Sequence, residues 1–76
     1  MKYMVIYSHQ PRNKEGKKLK KTEKLFKYVD AHTKEEAKEI FLRDLIEEGR
    51  IKAMNENRKF DEYRFLDDNR IIDIIK

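Results

Sequence analysis

The chain has 76 residues, with 19 Lys or Arg and 15 Asp or Glu, which leaves a formal net charge of +4. The absence of Cys excludes a disulfide framework and a thiolate metal site. The apolar runs are far shorter than the roughly 20 residues of a membrane-spanning helix. Four Tyr and four Phe argue against a disordered chain. We expect one soluble domain, residues 1–76, that is cytoplasmic and carries no cofactor.

The basic residues are concentrated in one segment. The basic arm, from Arg12 to Lys27, has eight basic and two acidic residues and carries +6, whereas residues 28–76 carry −3. The net charge is therefore a property of one loop and strand. The basic residues of the arm are Arg12, Lys14, Lys17, Lys18, Lys20, Lys21, Lys24 and Lys27.

Two strands are predicted in the first part of the chain. Residues 2–8 read as a strand in which the residues on both faces are largely apolar, which is typical of an interior strand. A turn around Pro11 and Gly16 follows. Residues 20–31 then alternate as a second strand that pairs back as a hairpin. The alternative is a helix from about Lys17, since Leu19, Thr22, Phe26 and Val29 also have helical spacing.

A helix is predicted from Thr33 to about Glu48. Thr33 can accept from the N–H of Glu36, and Glu36 can reach back to the Thr33 N–H, which would complete a capping box. Gly49 stands where a C-terminal αL glycine is expected. The apolar stripe is centred on three residues and extends far to one side. The central residues are Ala37, Phe41 and Leu45, and the extension is Leu42 and Ile46.

Further strands are predicted after the helix. Residues 50–54 are a possible short strand, and residues 59–66 and 71–75 are predicted to form a terminal hairpin. A helix over residues 56–66 is the alternative for the middle segment. The fold class is therefore α+β, with a small antiparallel sheet, one helix packed on one face, and the order β-β-α-(β)-β-β.

A single helix covers one face of a sheet, so the opposite face should be open. We expect several aromatic residues there: Tyr3, Tyr7, one of Phe26 and Tyr28, and one of Tyr63 and Phe65. Exposed apolar patches of this kind mark contacts with partners. The wide helix stripe at Leu42 and Ile46 has two interpretations, either a further contact or a surface that the terminal hairpin covers.

No catalytic or metal-binding motif is present. Ser8 and His9 are adjacent, but neighbours on a strand point to opposite faces and cannot form a nucleophile–base pair. Two Gly residues are too few for a Gly-rich phosphate loop, and no calcium loop or HExxH helix occurs. We predict a protein that is not an enzyme.

The segment from Tyr28 to Ala37 resembles a strand–cap–helix module, V-x-A-x-T-x-E-E-A, of small bacterial and phage-encoded proteins. In layout, the whole chain is similar to small accessory proteins of bacteriophages. This resemblance implies a role in which a small non-enzymatic protein binds a host enzyme or a defence component. It implies no functional residues.

The sequence is compatible with two functions. The first is docking on a protein partner, with the basic arm steering association and Tyr3, Tyr7 and Tyr28 making contact. The second is binding of nucleic acid by the same arm and an aromatic sheet face. The arm could equally be a solvated hairpin tip whose lysines protect an edge strand. Self-association through the open face is a further possibility.

Overall fold

The computed structural model describes residues 1–76 and contains three strands and two helices. In chain order they are β1 (Lys2–His9), β2 (Glu23–Asp30), α1 (Lys34–Asn55), α2 (Glu62–Asp67) and β3 (Asn69–Ile75). The strands form one antiparallel sheet in the order β2-β1-β3, with α1 packed on one face. The predicted α+β class is confirmed. The predicted order of elements is wrong. Residues 50–54 and most of residues 59–66, which were expected to form strands, belong to α1 and α2.

β1 is the central strand, as its two apolar sets predict. Its pairing with β2 is unbroken over all eight residues of each strand. The strand prediction for this region is therefore confirmed over the helix from about Lys17. The pairing of β1 with β3 shifts register between Ile6 and Tyr7, which leaves Ile72 without a direct partner. β3 thus carries a β-bulge, whereas β2 carries none.

The hydrophobic core lies between α1 and the inner face of the sheet. Phe41 of α1 is 2% exposed, and its ring centroid lies 5.0 Å from that of Tyr7. Burial of each large side chain here contributes about 1.5–3 kcal/mol of hydrophobic free energy. Nine residues form the cluster: Tyr3, Val5, Tyr7, Val29, Ala31, Ala37, Phe41, Leu45 and Ile74.

The prediction that Tyr3 and Tyr7 lie on the open sheet face is wrong. They face α1 and are 7% and 6% exposed. Because both sets of alternating residues in β1 are apolar, periodicity alone could not distinguish the inner from the outer set. The Phe41 ring packs against Tyr7 from the helix side, so Tyr7 and the other residues of its set face α1.

The N-terminus of α1 is capped largely as predicted. Thr33 is the N-cap residue, and its Oγ1 accepts from the N–H of Glu36 at 3.1 Å. The Glu36 carboxylate accepts from the N–H of His32 at 3.2 Å instead of that of Thr33, so the reciprocal half of the capping box is displaced by one residue. His32 therefore contributes to the cap through its backbone.

The prediction that α1 ends at Gly49 is wrong, since the helix continues to Asn55. Its end is made by Asn57, which has a positive φ of 54°. The N–H of Arg58 donates to the carbonyl of Ala53 at 2.8 Å, and the N–H of Asn57 donates to that of Met54 at 3.2 Å. These two bonds form a Schellman motif with Asn in the αL position. The strand expected at residues 50–54 is therefore the last part of α1.

The prediction of a strand at residues 59–66 is also wrong, because the short helix α2 forms there. Asp61 caps this short helix by accepting from the N–H of Arg64 at 3.2 Å. Phe65 packs against the core and lies 5.3 Å from Phe60, ring centroid to ring centroid. Tyr63 points away and is 88% exposed. This outcome is closer to the alternative helix over residues 56–66.

The wide apolar stripe of α1 is only partly covered. Leu42 and Ile46 are both half-buried, and Leu42 packs against the core cluster. The terminal hairpin, which was one of the two interpretations of this stripe, does not form, and only its second strand, β3, is present. These two residues are therefore the edge of the core.

Candidate binding surface

The outer face of the sheet, opposite α1, is not covered by any helix or strand. We define the outer sheet face by the pairing register. It contains every second residue of β1 and the residues directly opposite them. Its members are Lys2, Met4, Ile6 and Ser8 of β1, Lys24, Phe26, Tyr28 and Asp30 of β2, and Arg70, Asp73 and Ile75 of β3.

Two aromatic side chains dominate this face. Phe26 and Tyr28 are each 61% exposed. Their centroids are 6.1 Å apart, and the ring planes meet edge to face at 78°. The Lys2 ammonium lies 5.7 Å from the centroid of Tyr28, within cation–π range. The expectation that one residue of the Phe26/Tyr28 pair reaches the open face is exceeded, since both do.

Aliphatic side chains extend the aromatic pair across the sheet. Met4 and Ile6, directly opposite Tyr28 and Phe26, are half-buried, and Ile75 is 40% exposed. The outer sheet face therefore contains a continuous apolar strip that runs from β2 to β3. We did not predict Met4, Ile6 or Ile75 as contact residues. For Met4 and Ile6 the only signal is their alternation with Tyr3, Val5 and Tyr7, and alternation does not show which of the two sets is buried.

Charges of both signs lie around the apolar strip. Lys24 and Arg70 occupy one end of the sheet, where both are opposite Ser8. Asp30 is opposite Lys2, and Asp73 is opposite Ile6. The rim of the outer sheet face is thus mixed in charge and not uniformly basic.

The basic arm divides into paired and unpaired cations, and Arg12 is the most firmly held. Its Nε donates to Asp68 Oδ2 at 2.6 Å, a second guanidinium nitrogen donates to Oδ1 at 3.0 Å, and a third donates to the Gly16 carbonyl at 2.7 Å. The hydrogen bonds to Asp68 raise the pKa of Arg12 above its usual range. Asp68 is buried. Arg12 therefore joins the loop of the arm to Asp68.

Lys18 and Lys27 are also ion-paired. Lys18 Nζ lies 3.1 Å from Oδ2 of Asp67. Arg70 contacts the other carboxylate oxygen, Oδ1. The hydrogen bonds from Arg70 and then Lys18 lower the pKa of Asp67. Lys27 Nζ donates to both carboxylate oxygens of Glu48 on α1, at 2.7 and 2.9 Å. Both lysines therefore tie the arm to the body of the protein.

The loop within the basic arm is ordered by its own hydrogen bonds. The Asn13 side chain accepts from the N–H groups of Glu15 and Lys17, at 2.9 and 3.0 Å. Gly16 has a φ of 83°, which glycine adopts without strain. Its carbonyl accepts from Arg64 of α2 at 2.7 Å, in addition to Arg12. The loop of the arm is therefore held against α2 and its C-cap residue Asp68.

The remaining cations of the basic arm have no carboxylate partner. They are all exposed, so their charge is available to an approaching anionic surface. They are Lys14, Lys17, Lys20, Lys21 and Lys24. Of these, Lys24 lies on the outer sheet face beside Phe26.

A polar groove lies beside the arm. It has a volume of about 680 Å³ and runs between the loop, the end of α1 and α2. Its lining includes basic residues such as Lys14 and Lys52, acidic residues such as Glu15 and Glu56, and the Phe60 ring. Its charges are mixed, so it does not define a site for one class of ligand.

Ser8 and His9 do not form a catalytic pair. Ser8 lies on the outer sheet face, whereas the His9 Nδ1 lies 2.8 Å from Oδ1 of Asn69. Because the Asn69 amide nitrogen donates to the Phe65 carbonyl at 2.9 Å, its oxygen is the acceptor and His9 Nδ1 is the donor. His9 therefore links β1 to the start of β3.

No group of three or more His, Asp or Glu side chains is placed to hold a metal ion. Neither helix has the length and apolar character needed to cross a membrane. Comparison with known proteins gives no match, whether to a family model, a curated protein sequence or a solved structure.

Proposed function

We propose that the protein is a non-enzymatic binding module that docks its outer sheet face on a protein partner. The observation that carries this proposal is the pair Phe26 and Tyr28, both 61% exposed on an uncovered apolar sheet face. Large aromatic side chains surrounded by polar groups are the usual centres of binding energy in protein interfaces. The resemblance to small phage accessory proteins suggests a phage-encoded inhibitor or modulator of a host enzyme or defence system, acting in the cytoplasm of the host cell.

The charge around the face indicates the chemistry of the partner. Unpaired lysines of the basic arm, with Lys24 on the face itself, favour an acidic surface around an apolar centre. Such charges accelerate association and are screened by salt. Asp30 and Asp73 restrict the partner further, because each would repel a carboxylate placed directly above it. We therefore expect a partner whose acidic residues lie toward the arm.

Single-stranded nucleic acid is the second candidate, and the unpaired lysines beside two exposed rings favour it. Two features make it the weaker one. The rings meet at 78°, so they do not offer parallel faces to successive bases. Asp30 and Asp73 lie on the same face by register and would repel phosphates.

A capture experiment with matched variants tests the first proposal. The immobilised wild-type chain, the double variant Phe26→Ser/Tyr28→Ser and the control Tyr63→Ser are exposed to a lysate of the candidate host. Tyr63 is even more exposed but lies on α2, away from the sheet. We expect a stoichiometric protein on the wild type and on Tyr63→Ser but not on the double variant. Equal capture by all three, or no captured protein, would overturn the proposal.

The second candidate is tested with a fluorescent oligothymidylate at low and at moderate salt. If it is correct, binding should weaken steeply with salt and should be lost when Lys17, Lys20 and Lys21 are changed to Gln. An absence of binding at low salt would eliminate it.

A further inference from the structure

The edge of β2 is free, and its exposed backbone groups can be identified. The N–H of Ala31 donates to the carbonyl of Met1 at 2.9 Å, and these residues are opposite each other if the β1–β2 register is extended by one position. In an antiparallel pair, hydrogen-bonded and non-hydrogen-bonded positions alternate. The residues of β2 that direct their N–H and C=O groups away from β1 are therefore Lys24, Phe26, Tyr28 and Asp30.

β2 is also the edge that is better suited to pairing. The other edge strand, β3, contains the bulge at Ile72, and a bulge disrupts the pairing of an edge. β2 has no bulge, Gly or Pro. It is exposed on both faces, since Leu25 on the inner side is 36% exposed.

We propose that β2 pairs antiparallel with β2 of a second copy of the chain, with Lys27 opposite itself. This register matches side chains on both faces. On the outer sheet face, Phe26 is opposite Tyr28 of the second copy and Lys24 is opposite Asp30, each pair occurring twice. On the inner face, Leu25 is opposite Val29. Cross-strand aromatic, apolar and opposite-charge pairs of this kind stabilise sheets.

The other registers that keep the two faces aligned are less complementary. A shift of two residues in one direction places Phe26 opposite itself and removes the contact between Lys24 and Asp30. A shift in the other direction places Phe26 opposite Asp30 and Tyr28 opposite itself. Of these registers, only the one centred on Lys27 pairs both charged outer-face residues of β2, Lys24 and Asp30, with opposite charges. It also makes hydrogen-bonded pairs of the four residues whose backbone groups are free.

Lysines on an edge strand usually prevent such pairing. β2 contains two lysines, Lys24 and Lys27, and in this register the charge of each is compensated. Lys27 meets its own copy at the two-fold axis, but each Lys27 is already neutralised by Glu48 of the same chain at 2.7 Å. Lys24 is opposite an aspartate. The dimer is a continuous six-stranded sheet, twice the three-stranded sheet of one chain. Its outer face carries four aromatic rings. The dimer forms from this chain alone and does not depend on the proposed protein partner.

Charge exchange tests the proposal with the protein alone. In Lys24→Glu, a glutamate faces Asp30; in Asp30→Lys, a lysine faces Lys24. We expect the wild type to form a concentration-dependent dimer in sedimentation velocity, each variant to be monomeric, and an equimolar mixture of the two variants to form a heterodimer. Both positions are exposed, so the fold should be retained. A wild type that stays monomeric, or variants that dimerise as well as the wild type, would overturn the proposal.

The register is tested by single cysteines, which the chain permits because it has none. In Lys27→Cys the two cysteines lie at a non-hydrogen-bonded pair, with Cα atoms about 4.5 Å apart, within disulfide range. In the matched control Lys24→Cys they are about 20 Å apart, at 3.3 Å per residue. Mild oxidation with diamide should cross-link the first variant and not the second. Equal cross-linking of both would contradict the register. None of these measurements involves a partner, so this proposal and the proposed function can fail separately.

Discussion

The Phe65 ring of α2 lies directly on the backbone of Gly49 in α1. A Cβ atom built on Gly49 would stand 2.6 Å from Cε1 of Phe65 and 2.7 Å from its Cζ, closer than carbon atoms approach without displacement. Cε1 of Phe60 would be 3.0 Å away. Gly49 is therefore required in the middle of a helix by close packing, and not at the end of a helix by its backbone freedom.

We expect Gly49→Ala to destabilise the protein. Alanine gains about 1 kcal/mol over glycine in a helix interior, but displacement of a packed ring costs about 1–3 kcal/mol. The expected net loss in the free energy of unfolding is about 1 kcal/mol, measured by urea denaturation. In a Phe65→Leu background the same substitution should cost less. A stabilising Gly49→Ala in the wild type would show that the ring moves freely.

Asn57 gives a second test of how α1 ends. Its φ of 54° lies in the left-handed region, which costs a residue such as Ala about 1–2 kcal/mol. We expect Asn57→Ala to lower the free energy of unfolding by about 1 kcal/mol, whereas Asn57→Gly should be neutral or stabilising. Thermal unfolding of the two variants checks this. Equal melting temperatures would contradict the role of Asn57.

The two classes of tyrosine should respond differently to truncation. Tyr7 is buried against Phe41, so we expect Tyr7→Ala to cost about 3–5 kcal/mol, as for other large aromatic core residues. Tyr28 lies on the outer sheet face, and Tyr28→Ala should change the free energy of unfolding by no more than about 0.5 kcal/mol. Urea denaturation monitored by circular dichroism measures both. Similar losses for the two variants would contradict the placement of Tyr28.

Arg12 should hold the loop of the basic arm in place. We expect Arg12→Gln to accelerate amide hydrogen exchange at Gly16 and Lys17, because the bonds to Asp68 and to the Gly16 carbonyl are lost. Lys14→Gln removes the same charge from an unpaired position and is the control. If both variants exchange at the same rate as the wild type, the ion pair does not order the loop.

Asp67 should contribute a small dependence of stability on pH. The hydrogen bonds from Arg70 and Lys18 place its pKa in the folded state below the unfolded value of about 3.9. Its contribution to stability is therefore present above the unfolded pKa and is lost as the pH falls through the folded pKa.

We expect Asp67→Asn to weaken the fall in melting temperature below about pH 4. Asp44→Asn is the control, because the Asp44 carboxylate meets only Arg43, at 3.4 Å, in an exposed pair. The same weakening in both variants would contradict a specific role for Asp67.

The sequence alone determined the features that depend on neighbouring residues. The cap at Thr33 and the concentration of charge in the basic arm follow from local chemistry and spacing. Alternation favoured a strand at residues 20–31 but left a helix from about Lys17 open, and the structure has a strand at Glu23–Asp30. The α+β class follows from one capped helix with an apolar stripe and from the apolar, strand-like segments before and after it. Alternation also predicted that one residue of the Phe26/Tyr28 pair reaches the open face, and both residues do.

Only the tertiary structure decided where the apolar residues of β1 point and where α1 ends. Both faces of β1 are apolar, so the burial of Tyr3 and Tyr7 required the Phe41 ring on one side of the sheet. Gly49 is compatible with a helix end, but the rings of Phe60 and Phe65 need its missing Cβ inside a longer helix. In the sequence, all the cations of the basic arm are alike. In the structure, three of them are paired with carboxylates that are distant in sequence: Arg12 with Asp68, Lys18 with Asp67 and Lys27 with Glu48. Such long-range contacts leave no periodic signal in the sequence.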